Sequence, residues 1–390
     1  MTSKKMRSGA RSFAVTGGVI LALVLSACTT GQGDQSPPTG GPKAAVAEEV
    51  TANVAASTHE PEFVAPGPAI DVSSLAGKSM FVIPETANPF TQSMVDAMNA
   101  AAKKAGMKVT VYPTQGTPSQ WVQGMNAALS GKADIINLVG IDARVLQPQL
   151  QAAKKAGIPV VITHIYDDSE PQAPACDGCE AGVTALVTAP FFRAGVVAAD
   201  WIIADSGGQA NILILGAPDV PVSPGTIKGI EERLSKFCSD CKSTVINIPV
   251  AEWNTGVQGE VQTALNRDPS INYVYPLYDA MVAGAVPAIR TTGKTGQVKV
   301  VSYNGSTFAL KFIQDGDIVA MDVGEDSTGI GYASMDQVFR ILLDKPIVDA
   351  RTPIRIWDKT NVKESGTPPV TGKGYGNAYE NGYLQLWGLK

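Results

Sequence analysis

The sequence has few of the residues on which enzyme active sites depend. Its 390 residues include only two histidines, His59 and His164, and no metal-binding His-Glu-x-x-His pair. A Gly-x-Ser-x-Gly nucleophile motif is also missing. Gly293-Lys294-Thr295 does not complete a phosphate-binding loop, because Ala288 stands where that loop needs a glycine. These absences argue against an enzyme, and we expect neither a cofactor nor a bound metal.

An excess of positive charge is lacking as well. The chain has 31 basic and 36 acidic residues, a formal net charge of −5. Proteins that bind nucleic acid need a basic face to contact phosphates, so nucleic acid is not an expected partner. The adjacent acids Asp167 and Asp168 are interpreted as part of a solvated loop, and they do not indicate a catalytic pair.

Only one hydrophobic run stands out, from Phe13 to Leu25, and no second segment reaches the roughly 20 apolar residues that span a membrane. Four basic residues precede the run, and Leu25-Ser26-Ala27-Cys28 follows it. A basic start, a short apolar region and small residues before a cut are typical of a secretory signal. With the cysteine, the segment resembles a bacterial lipoprotein signal.

That resemblance implies that residues 1–27 are a lipoprotein signal peptide and that the Cys28 thiol is lipidated. The protein would then lie outside the cytoplasm, anchored to the cell membrane by its lipid. A single membrane-spanning helix is the alternative interpretation. Residues 28–76 are rich in Gly, Pro, Ala, Thr and Gln, and such a composition predicts a flexible tether.

From Lys78 onward, short apolar runs alternate with segments of helical spacing. The predicted strands are Met80–Pro84, Lys108–Tyr112, Ile135–Val139, Pro159–Thr163, Ile212–Leu215, Thr244–Ile248, Tyr273–Tyr275, Lys299–Tyr303 and Ile318–Val323. This alternation is typical of βαβ units and buried parallel sheets. We therefore predict an α/β fold with two doubly wound parallel-sheet lobes. The default ligand site is the cleft between them, at the carboxyl ends of the strands.

Five motifs, in this order, resemble those of ribose-type periplasmic binding proteins. They are Ile83-Pro84-Glu85-Thr86-Ala87-Asn88-Pro89-Phe90, Gly157-Ile158-Pro159-Val160-Val161, Asp279-Ala280-Met281-Val282-Ala283-Gly284-Ala285, Val300-Val301-Ser302-Tyr303-Asn304-Gly305 and Asp315-Gly316-Asp317-Ile318-Val319-Ala320. The resemblance extends over about residues 78–357.

The resemblance implies the type I periplasmic binding protein fold, with two lobes joined by a three-stranded hinge. Residues 77–187 plus 324–356 would form lobe 1, and residues 188–323 plus 357–390 would form lobe 2 and a C-terminal extension. The hinge crossings are expected near Val187, Val323 and Ile356.

The implied function is that of a monomeric solute-binding protein of an ABC importer. Its lobes would close on a sugar, polyol or modified sugar, and the closed form would deliver this ligand to a permease. The alternatives are a signalling receptor of the same fold for a small furanose-like or aromatic ligand, and a surface enzyme.

Seven residues occupy positions that match the family's ligand-binding residues: Asn88, Phe90, His164, Trp253, Tyr278, Asp279 and Asn304. The family commonly has Asp-Arg in the region of His164, and Ser223-Pro224-Gly225 replaces a second arginine. The resemblance therefore implies a site that has lost charge and gained aromatic rings.

Structural roles are the alternatives for these residues. Asn88 and Asp279 could cap helices, and Asn304 before Gly305 could form a turn. Phe90 and Trp253 could pack within the lobes. His164 could be satisfied by hydrogen bonds to the backbone.

Four cysteines remain, in the pairs Cys176/Cys179 and Cys238/Cys241. Outside the cytoplasm, disulfides are the first expectation. The preferred prediction is a local disulfide within each pair. A cross-link between the pairs and a metal site are the alternatives.

Overall fold

The computed structural model describes residues 46–168 and 182–390. The predicted signal peptide, Cys28, Cys176 and Cys179 lie outside the described residues. Within the described ranges, no helix combines the length and the apolar character needed to cross a bilayer.

The described residues form α-helices and β-strands in nearly regular alternation after an N-terminal helix. The strands are β1 Ser79–Pro84, β2 Lys108–Val111, β3 Ile135–Val139, β4 Val160–Asp167, β5 Ala185–Ala189, β6 Asn211–Gly216, β7 Lys242–Asn247, β8 Tyr273–Pro276, β9 Lys299–Asn304, β10 Val319–Glu325 and β11 Ile354–Asp358. The α-helices are α1 Glu48–Thr58, α2 Pro89–Lys104, α3 Pro118–Ser130, α4 Gln147–Ala156, α5 Phe191–Ser206, α6 Ser223–Phe237, α7 Val257–Arg267, α8 Val282–Thr291, α9 Thr307–Gln314, α10 Ser327–Leu342 and α11 Ala378–Leu386.

The strands form two sheets, one in each lobe. The sheet of lobe 1 has the order β2-β1-β3-β4-β5, and that of lobe 2 has the order β11-β10-β9-β8-β6-β7. Neighbouring strands are parallel, except that β11 runs antiparallel to β10. The prediction of two doubly wound parallel-sheet lobes is confirmed.

Strand β3 shows why these strands are predominantly apolar. Ile135 and Val139 face the core that contains α2 and α10, while Ile136 and Leu138 face the core on the opposite side of the sheet. Successive side chains of a strand point to opposite faces, so a strand covered on both faces is apolar at most positions. The exception, Asn137, is buried with its polar atoms satisfied, since it donates to Ser334 Oγ and accepts from Thr163 Oγ1 at 3.1 Å.

The chain passes between the two sheets three times. It leaves the first sheet after β5, returns between β10 and α10, and re-enters the second sheet at β11. The expected crossings at Val187, Val323 and Ile356 lie within the strands that border these passages.

The first crossing is held by Asp167 and Asp168. The Phe192 amide donates to Asp167 Oδ2 at 2.7 Å, and Arg193 Nε donates to Asp168 Oδ2 at 2.6 Å. These acids are 3% and 2% exposed. Their interpretation as part of a solvated loop is wrong, because they cap and pair the first turn of α5.

The predicted tether over residues 28–76 is wrong for residues 46–76, whereas residues 28–45 lie outside the described ranges. Helix α1 buries Val50 against the core around α5. Asn53 Nδ2 donates to Asp200 Oδ2 at 2.6 Å, and Arg233 pairs with Glu49 at 2.7 Å. The apolar face of α1 is short, so the overall composition of residues 28–76 does not reveal it. This face and the polar contacts are enough to dock the segment on lobe 2.

The C-terminal segment does not belong to lobe 2 alone, as the sequence had suggested. Residues near its start bond to lobe 2, where Gln314 Nε2 donates to the Gly366 carbonyl at 2.6 Å. Helix α11 instead packs on lobe 1, where Trp387 is fully buried and donates from Nε1 to Asp336 Oδ1 at 2.8 Å. The aromatic spacing of Tyr379, Tyr383 and Trp387 gives this tail an apolar face that lobe 1 covers.

Both terminal segments thus connect the two lobes, in addition to the three crossings. The N-terminal segment runs from α1 on lobe 2 to Ile70, whose amide donates to the Leu386 carbonyl at 2.9 Å. Phe63, between these points, contacts the rings of Tyr379 and Tyr383. The termini therefore pack against each other as well as against the lobes.

Cys238 and Cys241 are joined by a disulfide just after α6. The local disulfide predicted for this pair is therefore present in the structure.

Replacement of Trp387 by alanine tests the placement of the C-terminal helix. Trp387→Ala should lower the free energy of unfolding by about 3–5 kcal/mol, because it empties a buried aromatic site and removes the donor to Asp336 Oδ1, although Arg340 Nε still pairs with Oδ2 of the same carboxylate. Urea denaturation followed by circular dichroism measures the loss. Gln385→Ala, at an exposed position of the same helix, should change stability little. Equal stability of the two variants would contradict the packing of α11.

Candidate functional site

The candidate site lies at the hinge, where the carboxyl ends of strands from both sheets meet. Lobe 1 contributes Glu85, directly after β1, and His164, within β4. Phe191 begins α5 at the first crossing, and Tyr303 and Glu325 stand at the ends of β9 and β10. The topology alone brings these side chains to one place, as in other open α/β sheets.

His164 is turned out of β4 by an irregularity in the strand. The pairing of β4 with β5 shifts register between Thr163 and Asp167, and His164 has a φ of 66°, in the left-handed region that side-chain-bearing residues rarely adopt. Its Nε2 lies 2.7 Å from Glu325 Oε2. The side chain of His164 is 13% exposed and that of Glu325 is 0% exposed.

Glu325 forms hydrogen bonds to residues of both lobes. Besides His164 of lobe 1, it accepts a hydrogen bond from the Tyr303 hydroxyl of lobe 2. Burial alone would lower the pKa of His164, but the charge and hydrogen bond of Glu325, together with the charge of Glu85, raise it above its usual value. His164 therefore carries a positive charge more readily than an ordinary histidine.

Glu85 has a firmly positioned backbone. Its amide donates to the Val139 carbonyl at 2.7 Å, and its carbonyl accepts from Trp121 Nε1 at 2.9 Å and from Thr114 Oγ1 at 3.0 Å. The side chain lies over Gly140, where a Cβ would be 3.2 Å from Glu85 Oε2. A residue with a side chain at position 140 would push this carboxylate away.

The carboxylate of Glu85 remains accessible to solvent. The surrounding groups nevertheless desolvate it enough to raise its pKa, while the nearby charge of His164 acts in the opposite direction. Among residues 46–168 and 182–390, no side chain or amide forms a hydrogen bond or ion pair with this carboxylate.

Aromatic rings surround the His164–Glu325 pair. The ring of His164 lies 5.1 Å from Phe90 and 5.8 Å from Phe191, and Phe191 lies 5.5 Å from Tyr303. Phe90 comes from lobe 1, whereas Phe191 packs with lobe 2. The rings thus form one continuous cluster across the hinge.

Trp253 and Tyr278 extend this cluster into lobe 2. Their rings stack at 5.4 Å with an angle of 24°, and Tyr278 lies 6.4 Å from Phe191. Trp253 Nε1 donates to the Ile248 carbonyl at 3.0 Å, which fixes the orientation of its ring. The Tyr278 hydroxyl has no hydrogen-bond partner among the described residues.

Asn88 and Asn304 mainly shape the local backbone, at the start of a helix and at the end of a strand. Asn88 caps α2, because its Oδ1 accepts from the Thr91 amide at 2.9 Å. Asn304 ends β9 with a φ of 129°, and Gly305 follows with a φ of 74°. Both asparagines stay at the cleft edge of their lobes, so ligand contacts by these residues remain predictions.

Asp279 is buried within lobe 2, and a ligand contact by this residue stays a prediction. It is 1% exposed, and its two oxygens accept from Ser302 Oγ at 2.6 Å and from the Ser306 amide at 2.7 Å. Asp279 therefore anchors the start of α9 from within lobe 2.

Asp322 forms a buried acid pair with Asp279 through the shared Ser302 hydroxyl. Burial, and then the charge of Asp279, raise the pKa of Asp322 well above its usual value. The role of the pair is structural, because the Asp322 carboxyl also holds the Gly305 amide at 2.8 Å.

The sequence did not single out Glu85, Phe191, Tyr303 or Glu325 as site residues. Glu85 and Tyr303 fall inside the motifs that carry the family resemblance, whereas Phe191 and Glu325 are recognisable only from their places at the crossings. The site nevertheless holds charged groups, since Glu85, His164 and Glu325 meet there.

The charge of His164 can be measured directly, because the chain has only one other histidine. Glu325→Gln should lower the pKa of His164, since the counter-charge is lost and burial remains. NMR of the imidazole Cε1–H resonances as a function of pH measures this pKa, with Glu260→Gln as the control. An unchanged His164 pKa in Glu325→Gln would contradict the pairing.

The same pair makes stability depend on pH. Because folding raises the pKa of His164, its contribution to the free energy of unfolding is complete below the unfolded pKa. That contribution is lost as the pH rises through the folded pKa. The Glu325→Gln variant should lack much of this dependence.

Comparison with known proteins places the chain in a family. The family model of the periplasmic binding protein domain matches residues 79–346. The ribose import binding protein of Bacillus subtilis is 27% identical over 263 residues, which cover 67% of this chain and 80% of that protein. The D-allose-binding periplasmic protein of Escherichia coli is 26% identical over 275 residues, covering 67% and 84%.

Solved structures show the same fold. A solute-binding protein of Bacillus halodurans with bound myo-inositol has a TM-score of 0.63 at 20% identity, covering 75% of this chain and 98% of that one. A periplasmic solute-binding protein of Actinobacillus succinogenes with bound D-allose has a TM-score of 0.63 at 22% identity, covering 73% and 99%. The matched family model, the two-lobed topology and the cluster at the hinge together show that this chain is a periplasmic binding protein of the ribose type, with the type I fold.

Proposed function

We propose that this protein is a lipid-anchored solute-binding protein that captures a small carbohydrate-like ligand between its lobes and delivers it to an ABC permease. The observation that carries the proposal is the cluster of rings and polar groups at the hinge, to which both lobes contribute. A ligand held there contacts both lobes only when the cleft is shut.

The relatives support a carbohydrate-like ligand. Two of them are named for ribose import and for D-allose binding, and two of the similar structures hold myo-inositol and D-allose. These compounds are small and rich in hydroxyl groups. We extend this class of ligand, and the partnership with a permease, to the present chain.

The chemistry of the cluster suits such a ligand. The flat faces of Phe90, Trp253 and Tyr278 can cover the apolar face of a sugar ring. Carboxylates and the His164 imidazole can satisfy hydroxyl groups, which would otherwise be buried without partners. Because the full set of contacts forms only between closed lobes, ligand shifts the population toward the closed form.

Trp253→Ala tests the site directly. It should weaken ligand binding by about 1 kcal/mol or more, roughly fivefold in Kd, because a stacked aromatic face is lost. A thermal-shift screen of pentoses, hexoses and polyols selects the ligand, and isothermal titration calorimetry then measures the affinity of both proteins.

Phe308→Ala is the matched control, because Phe308 is an aromatic residue of lobe 2 that is exposed on α9. It should bind as tightly as the unmodified protein. If Trp253→Ala also binds with unchanged affinity, Trp253 does not belong to the site.

The lipid anchor is tested by fractionating cells that express the full chain. Cys28→Ala should move the protein from the membrane fraction to the soluble fraction, because the thiol that would carry the lipid is gone. Thr29→Ala, which keeps Cys28, should stay with the membrane. Membrane retention of the Cys28→Ala protein would refute lipid anchoring at this residue.

A further inference from the structure

The charges in the cleft are not balanced by the protein itself. Glu325 and His164 neutralise each other, since their charged atoms are 2.7 Å apart. Glu85 is a second carboxylate beside the strand that carries His164. Its Oε2 lies 3.2 Å from where a Cβ on Gly140 would be, and the Gly140 amide donates at 2.8 Å to the carbonyl of Thr163, the residue before His164. The charge of Glu85 acts on His164, and its carboxylate has no hydrogen bond or ion pair within the described ranges. One negative charge of the cluster is therefore left without a partner.

The nearest arginine of the first crossing is already engaged. Arg193 Nε donates to Asp168 Oδ2 at 2.6 Å, and Arg193 also donates to the Thr352 carbonyl. It holds the crossing together and does not pair with Glu85. The two family positions where arginine is common also lack it here, since His164-Ile165 and Ser223-Pro224-Gly225 occupy them.

Glu85 is held in a way that favours a defined partner. Three hydrogen bonds fix its backbone, and the absence of a side chain at Gly140 leaves room for the carboxylate. The backbone that carries the carboxylate is thus fixed before binding, so that only the side chain loses conformational freedom when a cation arrives. A neutral hydroxyl could also donate to it, but an ammonium adds the attraction between two opposite charges to the hydrogen bond.

The aromatic rings favour the same kind of ligand. The faces of Phe, Tyr and Trp rings attract cations, and a ligand cation near them gains further stabilisation when water is excluded. Phe90 lies 5.1 Å from His164, and Phe191, Tyr278 and Trp253 continue the cluster. Carboxylate and rings together form an environment suited to an ammonium group.

We propose that the ligand is an amine-bearing sugar or polyol, and that Glu85 selects it by pairing with the protonated amine. This inference rests on the proposed function, because it names the class of ligand for the same cleft. The remaining hydroxyl groups of the ligand would contact the polar groups around the rings. The N-acetylated form of such a ligand lacks the charge and would be discriminated against.

The experiment compares matched ligands by isothermal titration calorimetry on the full protein. The pairs are D-glucosamine with D-glucose, D-galactosamine with D-galactose, D-mannosamine with D-mannose, and 1-amino-1-deoxy-D-sorbitol with D-sorbitol, each hexosamine also in its N-acetylated form. At least one amine should bind about tenfold or more tightly than its neutral parent and its N-acetyl form, as expected for a contact between two opposite charges.

Glu85→Gln should remove this preference, because the amide keeps the shape and loses the charge. Glu260→Gln, which changes an exposed acid on α7, should retain it. A neutral sugar that binds as tightly as its amine, or an amine preference that survives in Glu85→Gln, overturns the inference and leaves the sugar-binding function standing. If no compound of the panel binds, the inference is rejected, and the proposed function is judged by the separate screen of pentoses, hexoses and polyols.

Discussion

The buried contact between His164 and Glu325 is the interaction on which the arrangement of the cleft depends. It joins β4 of lobe 1 to the end of β10, where the chain leaves lobe 2. Removing one partner of a buried ion pair leaves the other charge uncompensated, at a cost of about 3–5 kcal/mol. The strained backbone of His164 is thus maintained by a contact that the hinge itself supplies.

The other features of the site follow from this contact. His164, once turned out of its strand, packs its ring between Phe90 and Phe191. Glu325 also fixes Tyr303, and Tyr303 supports Phe191 from beneath. The unpaired carboxylate of Glu85 lies beside the His164–Glu325 ion pair, which has no net charge, and beside the aromatic rings. A ligand in the cleft would have to complement this carboxylate and these rings.

The terminal segments constrain how the lobes can move. In addition to the three crossings, α1 is docked on lobe 2, and α11 is docked on lobe 1. Ile70 and Leu386 hydrogen-bond the two ends of the chain to each other. Opening of the cleft must therefore proceed as a hinge motion that leaves these contacts intact, because each of them buries apolar surface that water would otherwise contact.

Much of the fold could be predicted from the sequence, because its signals are local. Ile135–Val139 is apolar in the sequence except for Asn137, and it is a doubly covered strand in the structure. The positions of Trp253, Tyr278 and Phe90 also followed from motifs beside predicted strands. The ring stacking of Trp253 on Tyr278 brings two of these predicted residues together.

The remaining features depend on contacts between distant segments. Glu325 can pair with His164 only because the fold brings the end of β10 beside β4. Asp279 is bonded by the Ser306 amide, at the start of α9, which is 27 residues further along the chain. The docking of α1 and α11 likewise depends on surfaces offered by α5 and α10. The spacing of apolar residues within α1 and α11 does not indicate which surface of the protein will cover them. The sequence alone therefore predicted a flexible tether for the first segment and an extension of lobe 2 for the second.

A crystal structure of the protein saturated with a ligand from the binding screen tests the central claim most directly. The account predicts electron density for the ligand between the lobes, in contact with Glu85 and Phe90 on one side and with Trp253 on the other. Density outside the cleft, or within it but away from the ring cluster, would contradict the account.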